Sequence, residues 1–213
     1  MLIVKENVNN VTEFDVVYPG VDIEKFAFHA KHRSIIRQQE KLSDKTTVIG
    51  CVGRISAVKN YFYMIDLFKQ IKKMVPESAL MFVGDGPLKH KLREYVVESG
   101  LDKDVKLLGH KTNTSEYYSA FDVFVMPSFH EGFPLAALEA QASGLPVFLS
   151  DSISKEVNVF NCQYFSFKEE ISTVAQKICE GLSKKDRHVD SLVLKNFDNE
   201  AMVRNMEKIY ESL

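Results

Sequence analysis

Two carboxylates lie close together within the segment from Asp122 to Ser150. Glu131 and Glu139 flank the seven residues Gly132–Leu138, and Pro134 stands inside this interval. Proline suits the first position of a helix because its missing N–H would have no partner there, so we expect a helix to begin at Pro134. Carboxylates accept hydrogen bonds from hydroxyl groups. Glu139, which the helix would carry, could accept such bonds from a sugar or a ribose diol.

A helix that begins at Pro134 leaves the amides of Leu135 and Ala136 without intrahelical partners, at the positive end of the helix dipole. Such an end favours a phosphate. Glu139 would lie in the second turn among alanines, where a carboxylate is costly unless a donor reaches it. A ribose diol would supply that donor. A solvent-facing Glu on an amphipathic helix is the alternative interpretation.

A second loop carries positive charge. Gly53 follows an apolar run, and Arg54 and Lys59 come directly after it. Arg offers a planar fork of donors and Lys a mobile point charge, so together they could neutralise a diphosphate leaving group. The alternative is a charged loop with two solvated bases.

The elements that would position these residues alternate between strands and helices. The strands are continuous apolar runs, which is typical of a parallel sheet covered on both faces. We therefore predict an α/β fold with a doubly wound, mostly parallel Rossmann-like sheet. The predicted strands are 46–52, 79–83, 105–108, 123–126, 147–149 and 164–167. The predicted helices are 60–75, 87–99, 115–120, one from 134, 169–182 and 199–213.

The loops at the carboxyl ends of parallel strands line the binding crevice of such a sheet. Here these loops are Gly53–Asn60, Gly84–Leu88, Gly109–Thr114 and Pro127–Pro134. The residues singled out above fall in these loops or just beyond them. This coincidence predicts one ligand site at one edge of the sheet.

The composition excludes several classes of protein. The 213 residues carry a net charge of −2 with interspersed signs, which argues against a nucleic-acid surface. The six histidines and three cysteines show no metal-ligand spacing, so we expect no metal site. No run approaches the length of a membrane span, and we expect a reducing cytoplasm.

These motifs, in this order, resemble the C-terminal, donor-binding domain of GT-B glycosyltransferases, in particular the retaining family 4 (group 1) enzymes. The resemblance runs from about residue 17 to residue 150, and the Glu131–Glu139 interval is its most specific part. Its landmarks are Pro19–Asp22 with Phe26, Val52–Arg54 with Lys59–Asn60, Val83–Pro87, Val105–Gly109, Ser128–Glu139 and Ala140–Val147.

The resemblance implies a role for each site residue. Glu131 would hold hydroxyls of the donor sugar and Glu139 the ribose, while Arg54 and Lys59 neutralise the diphosphate. Arg54, Lys59 and Glu131 would form the catalytic set. The donor-binding set would be Gly53, Gly109, His110, Lys111, Gly132, Phe133, Pro134, Leu135, Ala136 and Glu139. Sugar and phosphate oxygens would be bound by the amides of Gly132, Phe133, Leu135 and Ala136. The base would lie against Gly109, His110 and Lys111.

The resemblance also implies partners and a domain plan. We expect residues 17–195 to form the nucleotide-sugar domain, residues 196–213 a C-terminal helix, and residues 1–16 a lead-in or the remnant of a missing N-terminal acceptor domain. The donor would be a nucleoside diphosphate sugar, a UDP-sugar in preference to a GDP-sugar. The acceptor would be a sugar or a lipid-linked sugar, and the complete enzyme could be peripheral to the inner membrane face.

The sequence thus predicts a glycosyltransferase donor domain that transfers with retention and without metal or cofactor, in polysaccharide biosynthesis, and that has little activity alone. A non-catalytic nucleotide-sugar-binding module, or one subunit of a split enzyme, is the main alternative. A sugar-nucleotide epimerase of the same architecture and an α/β domain with ordinary loops also stay open.

Overall fold

A computed structural model describes residues 2–5, 14–160, 162–182, 187, 189 and 194–212. Its centre is a six-stranded sheet in which every pairing is parallel. The six strands are β3 (Thr47–Val52), β4 (Ser78–Val83), β5 (Val105–Leu107), β6 (Val123–Met126), β7 (Val147–Ser150) and β8 (Cys162–Phe165). The predicted fold class is confirmed.

Helices cover both faces of this sheet. They are α1 (Ile23–Phe26), α2 (Ala30–Gln39), α3 (Tyr61–Met74), α4 (Lys89–Glu98), α5 (Thr114–Ala120), α6 (Leu135–Ala142), α7 (Ile171–Gly181) and α8 (Asn199–Ser212). One hydrophobic core lies under α3, α4 and α7, and a second lies under α1, α2, α5 and α6. The strands serve both cores because successive side chains point to opposite faces, as Ile49 and Val48 of β3 do.

The strand order places the candidate site. It runs β5-β4-β3-β6-β7-β8, so the chain winds outward from β3 in one direction and from β6 in the other. In a doubly wound sheet the crevice opens beyond the carboxyl ends of the two strands where the direction reverses. Here those ends lead into the loop after Val52 and the loop after Met126. These are the loops that carry Arg54, Lys59 and Glu131.

Many of the predicted boundaries are wrong by one or two residues, and two of them bear on the site or on the edge of the sheet. The last strand is Cys162–Phe165, not 164–167. The helix after Glu131 begins at Leu135, because Pro134 has an extended backbone (φ −75°, ψ 108°) and forms the N-cap. The amides of Leu135 and Ala136 are still the first two of the helix.

The described ends of the chain meet beside the sheet. Strands β1 (Leu2–Lys5) and β2 (Phe14–Val17) pair as a separate antiparallel ribbon, which the sequence did not predict. The segment before α8 returns to the residues after β2: the Val21 N–H donates to the Phe197 carbonyl at 2.9 Å. Among the described residues, no helix is both long enough and apolar enough to cross a membrane.

Candidate functional site

The loops after β3, β4 and β5 are joined by backbone hydrogen bonds. The Ile55 N–H donates to the Asp85 carbonyl at 2.9 Å, and the Gly84 N–H donates to the Gly109 carbonyl at 2.8 Å. Each strand exit therefore supports the next, and the three loops form one continuous rim at the carboxyl edge of the sheet.

Glycine is required where this rim is tightest. Gly84 has φ +145°, and a Cβ added there would lie 2.0 Å from the Gly53 carbonyl oxygen. A Cβ on Gly86 would lie 2.3 Å from the carbonyl oxygen of Ile55. Any side chain at these positions would push the loops apart. The close approach leaves peptide backbone, not side chains, at the inner edge of the crevice.

Lys59 and Glu131 meet across the point where the strand order reverses. The Lys59 Nζ lies 2.8 Å from Glu131 Oε1, and the two side chains are 15% and 21% exposed. Lys59 ends a 3₁₀ turn (Ala57–Lys59), and Asn60 then adopts a left-handed backbone with φ 52°. The Phe129 N–H donates to the Val58 carbonyl at 2.8 Å, which ties the two loops together. The two loops thus hold a partly buried ion pair at the reversal point of the sheet.

Arg54 lies on the same loop but in a different environment. Its side chain is exposed, and it makes no hydrogen bond or ion pair with any residue that the structure describes. Of the two cations on this loop, Lys59 is therefore already paired and Arg54 is available to an anionic ligand.

The N-terminus of α6 adds free amide donors. The Ala137 N–H is taken by the Pro134 carbonyl at 3.0 Å, whereas the Leu135 and Ala136 amides have no acceptor among the described residues. Pro134 is buried and Gly132 is exposed with open space around it. The geometry suits an anion such as a phosphate.

The second carboxylate, Glu139, is partly buried under α5. The Tyr118 hydroxyl donates to Glu139 Oε2 at 2.7 Å. Burial raises the pKa of the Glu139 carboxyl, while the hydrogen bond from Tyr118 and the charge of Lys25 oppose that rise. Glu139 does not face solvent as an isolated surface residue would. It has a protein donor on one oxygen, and no described residue donates to Oε1.

Gly109, His110 and Lys111 follow β5 at the far end of the rim. Gly109 is buried and has φ +73°, and His110 is exposed. The Lys111 Nζ lies 5.7 Å from the centroid of the Tyr117 ring, a cation–π contact. A hydrogen bond from Lys89 lowers the pKa of Asp85, whose carboxylate lies beside Gly109. His110 is therefore the exposed side chain at this end of the rim.

Phe133 has a structural contact that the sequence did not predict. Its ring lies 5.1 Å from that of Tyr18 and 6.0 Å from that of Phe197, centroid to centroid. Because the side chain packs in this aromatic cluster (Tyr18, Phe133, Phe197), we expect the backbone of Phe133, and not its ring, to meet a ligand. The cluster anchors the Glu131–Glu139 loop to the segment before α8.

Sequence reasoning missed Tyr118. Its spacing from Glu139 carries no recognisable pattern, because the contact is made between α5 and α6 across strand β6. One signal was present: a Glu among alanines requires a hydrogen-bond donor. Sequence reasoning assigned that donor to the ligand alone, and the structure shows that the protein supplies one as well.

The described residues contain no group of three or more His, Cys, Asp or Glu side chains that could hold a metal ion.

The chain was compared with known families and proteins. Residues 32–192 match the model of the family "Glycosyl transferases group 1". EpsF of Bacillus subtilis is 32% identical over 197 residues, which are 90% of this chain and 51% of that protein. An Escherichia coli protein, UDP-Gal:alpha-D-GlcNAc-diphosphoundecaprenol alpha-1,3-galactosyltransferase, is 31% identical over 218 residues, 97% of this chain and 55% of that protein.

Among solved structures, Anabaena Alr3699/HepE in complex with UDP superimposes with a TM-score of 0.81 and 21% identity, covering 93% of this chain and 57% of that one. At this level of identity the likeness shows the fold. The chain spans about half the length of the curated relatives it matches.

Proposed function

The chain belongs to the group 1 glycosyl transferases, and on this basis we propose that it forms the donor-binding domain of a glycosyltransferase that uses a nucleoside diphosphate sugar. The observation that carries the proposal is the convergence at the reversal point of the sheet. There Lys59 and Glu131 are 2.8 Å apart. The free amides of α6 and the carboxylate of Glu139 lie on the helix that follows Glu131.

Each group has a distinct part in binding the donor. Arg54, Lys59 and the N-terminus of α6 would neutralise the diphosphate, Glu139 would accept hydrogen bonds from the ribose, and Glu131 from the sugar. The amides of Gly132 and Phe133 would meet sugar or phosphate oxygens, and the base would lie against Gly109–Lys111. Because Lys59 is paired with Glu131 in the unliganded chain, donor binding would exchange one anionic partner of Lys59 for another.

Catalysis in this proposal is electrostatic. The bond from the anomeric carbon to the diphosphate oxygen breaks, and a bond from that carbon to the acceptor oxygen forms. Negative charge accumulates on the departing diphosphate, which takes up the proton of the acceptor hydroxyl. Fixed positive groups aimed at that charge stabilise the transition state more than the ground state. The two cations and the helix dipole would supply this without a metal ion. Retention of the anomeric configuration is part of the proposal and rests on the family resemblance.

We propose a UDP-sugar as the donor, in preference to a GDP-sugar. Two comparisons support uracil: HepE was solved with UDP, and the Escherichia coli relative is named for UDP-Gal. The name of that relative also supports a lipid-linked sugar as acceptor and a place in polysaccharide biosynthesis. The acceptor would be bound by an N-terminal domain that faces this crevice. Such an enzyme would work in the cytoplasm, at the inner face of the membrane where its acceptor lies.

Calorimetric titration with UDP, GDP and ADP tests the proposal, each with magnesium and with EDTA. We expect UDP to bind most tightly and its affinity to be the same in both conditions. Binding that requires magnesium would contradict the metal-free site, and a chain that binds none of the three would contradict the donor-domain assignment. Tight binding together with sugar transfer absent even after addition of an acceptor domain would favour a binding module.

The Arg54→Ala variant tests the charge assignment. Loss of one charge-assisted contact should weaken UDP binding about tenfold. Uridine, which lacks the diphosphate, should bind Arg54→Ala and wild type equally. The matched control is Arg93→Ala, because Arg93 is also exposed but lies within α4 and not in a loop of the rim. Equal losses for both variants would point to net charge instead of a contact.

A further inference from the structure

Tyr118 is fixed more firmly than its position on a short helix requires. Its side chain is fully buried, and its ring lies 5.6, 5.8 and 5.9 Å from those of Phe26, Phe121 and Phe124. Its backbone carbonyl accepts a hydrogen bond from Arg187 Nη2 at 2.9 Å. Both ends of the residue are therefore held before any ligand is present.

The hydroxyl of this immobilised ring points at α6. It donates to Glu139 Oε2 at 2.7 Å and lies 3.1 Å from the Ala136 carbonyl oxygen. A phenol has one proton, and the shorter, charged acceptor takes it. Burial keeps the pKa of Tyr118 well above its ordinary value, so the hydroxyl stays a donor.

We propose that Tyr118 is a positioning residue for the donor site, which holds Glu139 by one oxygen so that the other oxygen meets the ribose. The inference rests on the proposed function, because it deepens the role given there to Glu139. Oε1 of Glu139 is the oxygen left for a ligand, since no described residue donates to it. A free Glu side chain would have to be ordered when the nucleotide binds, and Tyr118 provides that order in advance.

The charge of Glu139 depends on the same contact. The titratable groups that act on it are Tyr118 from α5 and Lys25, which precedes the last residue of α1. Both favour the ionised carboxylate, against a burial that favours the neutral acid. Removing the Tyr118 hydroxyl should therefore raise the pKa of Glu139. Because the neutral acid accepts hydrogen bonds less well, nucleotide binding should then be lost at a higher pH when the solution is acidified.

The Tyr118→Phe variant tests the proposal because it removes the hydroxyl and keeps the ring. UDP should bind about tenfold more weakly than to wild type, the value of one hydrogen bond to a charged group. The 2′,3′-dideoxy analogue of UDP, which has no ribose hydroxyls, should bind both proteins equally. The acid limb of the pH profile for UDP binding should move upward.

Tyr95→Phe is the matched control. Tyr95 also donates to a carboxylate, Asp66 Oδ1 at 2.8 Å, but between α4 and α3. Its loss should leave the UDP affinity and its pH profile unchanged. Should Tyr118→Phe not fold, a ring-fluorinated tyrosine at position 118 takes its place, because fluorination nearly preserves the ring and makes the phenol a stronger donor to Glu139. The acid limb of the pH profile for UDP binding should then move downward, and an unchanged profile would contradict the proposal.

Two results would overturn the proposal. One is that Tyr118→Phe binds UDP as wild type does. The other is that it loses affinity equally for UDP and the dideoxy analogue, which is the mark of a purely structural tyrosine. If wild type binds UDP and Glu139→Ala does not, either of these two results refutes the role of Tyr118 but leaves the proposed function intact. If wild type binds no nucleotide at all, the proposed function fails and this inference fails with it.

Discussion

At the scale of single residues, Glu139 has a position that works against stability. Burial raises the pKa of its carboxyl above the ordinary value of 4.5, and neighbouring groups only partly oppose this. Between the unfolded and the raised folded pKa, the folded chain binds more protons than the unfolded chain. Stability contributed by this group is therefore present at low pH and is lost as pH rises through the folded pKa. Such a cost is typical of a residue kept for function.

We predict that Glu139→Gln increases the free energy of unfolding at pH 7, because the variant keeps an acceptor for Tyr118 and removes the half-buried charge. The gain should disappear well below pH 4.5, where the Glu139 carboxyl is protonated in both states. Urea unfolding at a series of pH values measures this. Glu207→Gln, on the exposed side of α8, serves as the control and should show no such trend. A loss of stability at neutral pH in Glu139→Gln would refute the argument.

The ion pair of Lys59 and Glu131 shows what the sequence could not give at this scale. Both residues were predicted to belong to one site, from loops that end neighbouring strands. Their mutual contact depends on a 3₁₀ turn and on the left-handed backbone of Asn60. Neither feature has a strong sequence signal, since Asn tolerates but does not require a positive φ. The residues were therefore predictable as members of a set but not as partners.

At the scale of elements, the rim of joined loops has no room for an added side chain at Gly84 or Gly86. Gly84→Ala should cost about 3 kcal/mol, because it combines an unfavourable φ with a clash against backbone. Gly132→Ala should change stability by less than about 0.5 kcal/mol, because an added Cβ there meets nothing within 4 Å. Urea unfolding of the two variants decides this. Equal effects would mean that the loops relax around Gly84.

Most of the predicted elements were recognisable because the strands are continuous apolar runs and the helices have apolar residues at helical spacing. Continuous apolar strands alternating with amphipathic helices indicated the doubly wound sheet, and the sheet in turn indicated which loops converge. The start of α6 was predicted one residue early, since proline fits both the N-cap and the first turn. The ribbon of β1 and β2 was not predicted, because two four-residue strands separated by polar residues have no distinctive pattern.

At the scale of the whole molecule, the described termini are coupled to the site through aromatic contacts. Tyr18 follows β2 and Phe197 precedes α8, and both rings pack on Phe133 in the loop between the two carboxylates. The sequence predicted the C-terminal helix but not its contact with the residues after β2. In the structure the Gly20 N–H also lies 3.3 Å from the Met202 sulfur of α8. The division into residues 17–195 and 196–213 stays a prediction.

We predict that Phe197→Ala lowers the free energy of unfolding by about 2 kcal/mol, less than a fully buried Phe would cost. UDP binding should weaken roughly threefold, because the Gly132–Pro134 backbone loses a packing partner and its amides are less well placed. Thermal melts and calorimetry on the same samples measure both effects. Tyr210→Ala, which removes a ring that is 64% exposed on α8, should change neither. A stable Phe197→Ala with unaltered affinity would show that the cluster does not support the site.

The central claim is that a nucleoside diphosphate binds at the carboxyl edge, with its phosphates at the N-terminus of α6 and its ribose at Glu139. Titration of the ¹⁵N-labelled chain with UDP, followed by amide chemical shifts, tests it most directly. The account predicts that the largest shifts fall on Gly132, Phe133, Leu135 and Ala136, with smaller ones near Arg54 and Gly109, and that Glu139→Ala abolishes them. Shifts concentrated elsewhere, or shifts at these amides that persist in Glu139→Ala, would contradict it.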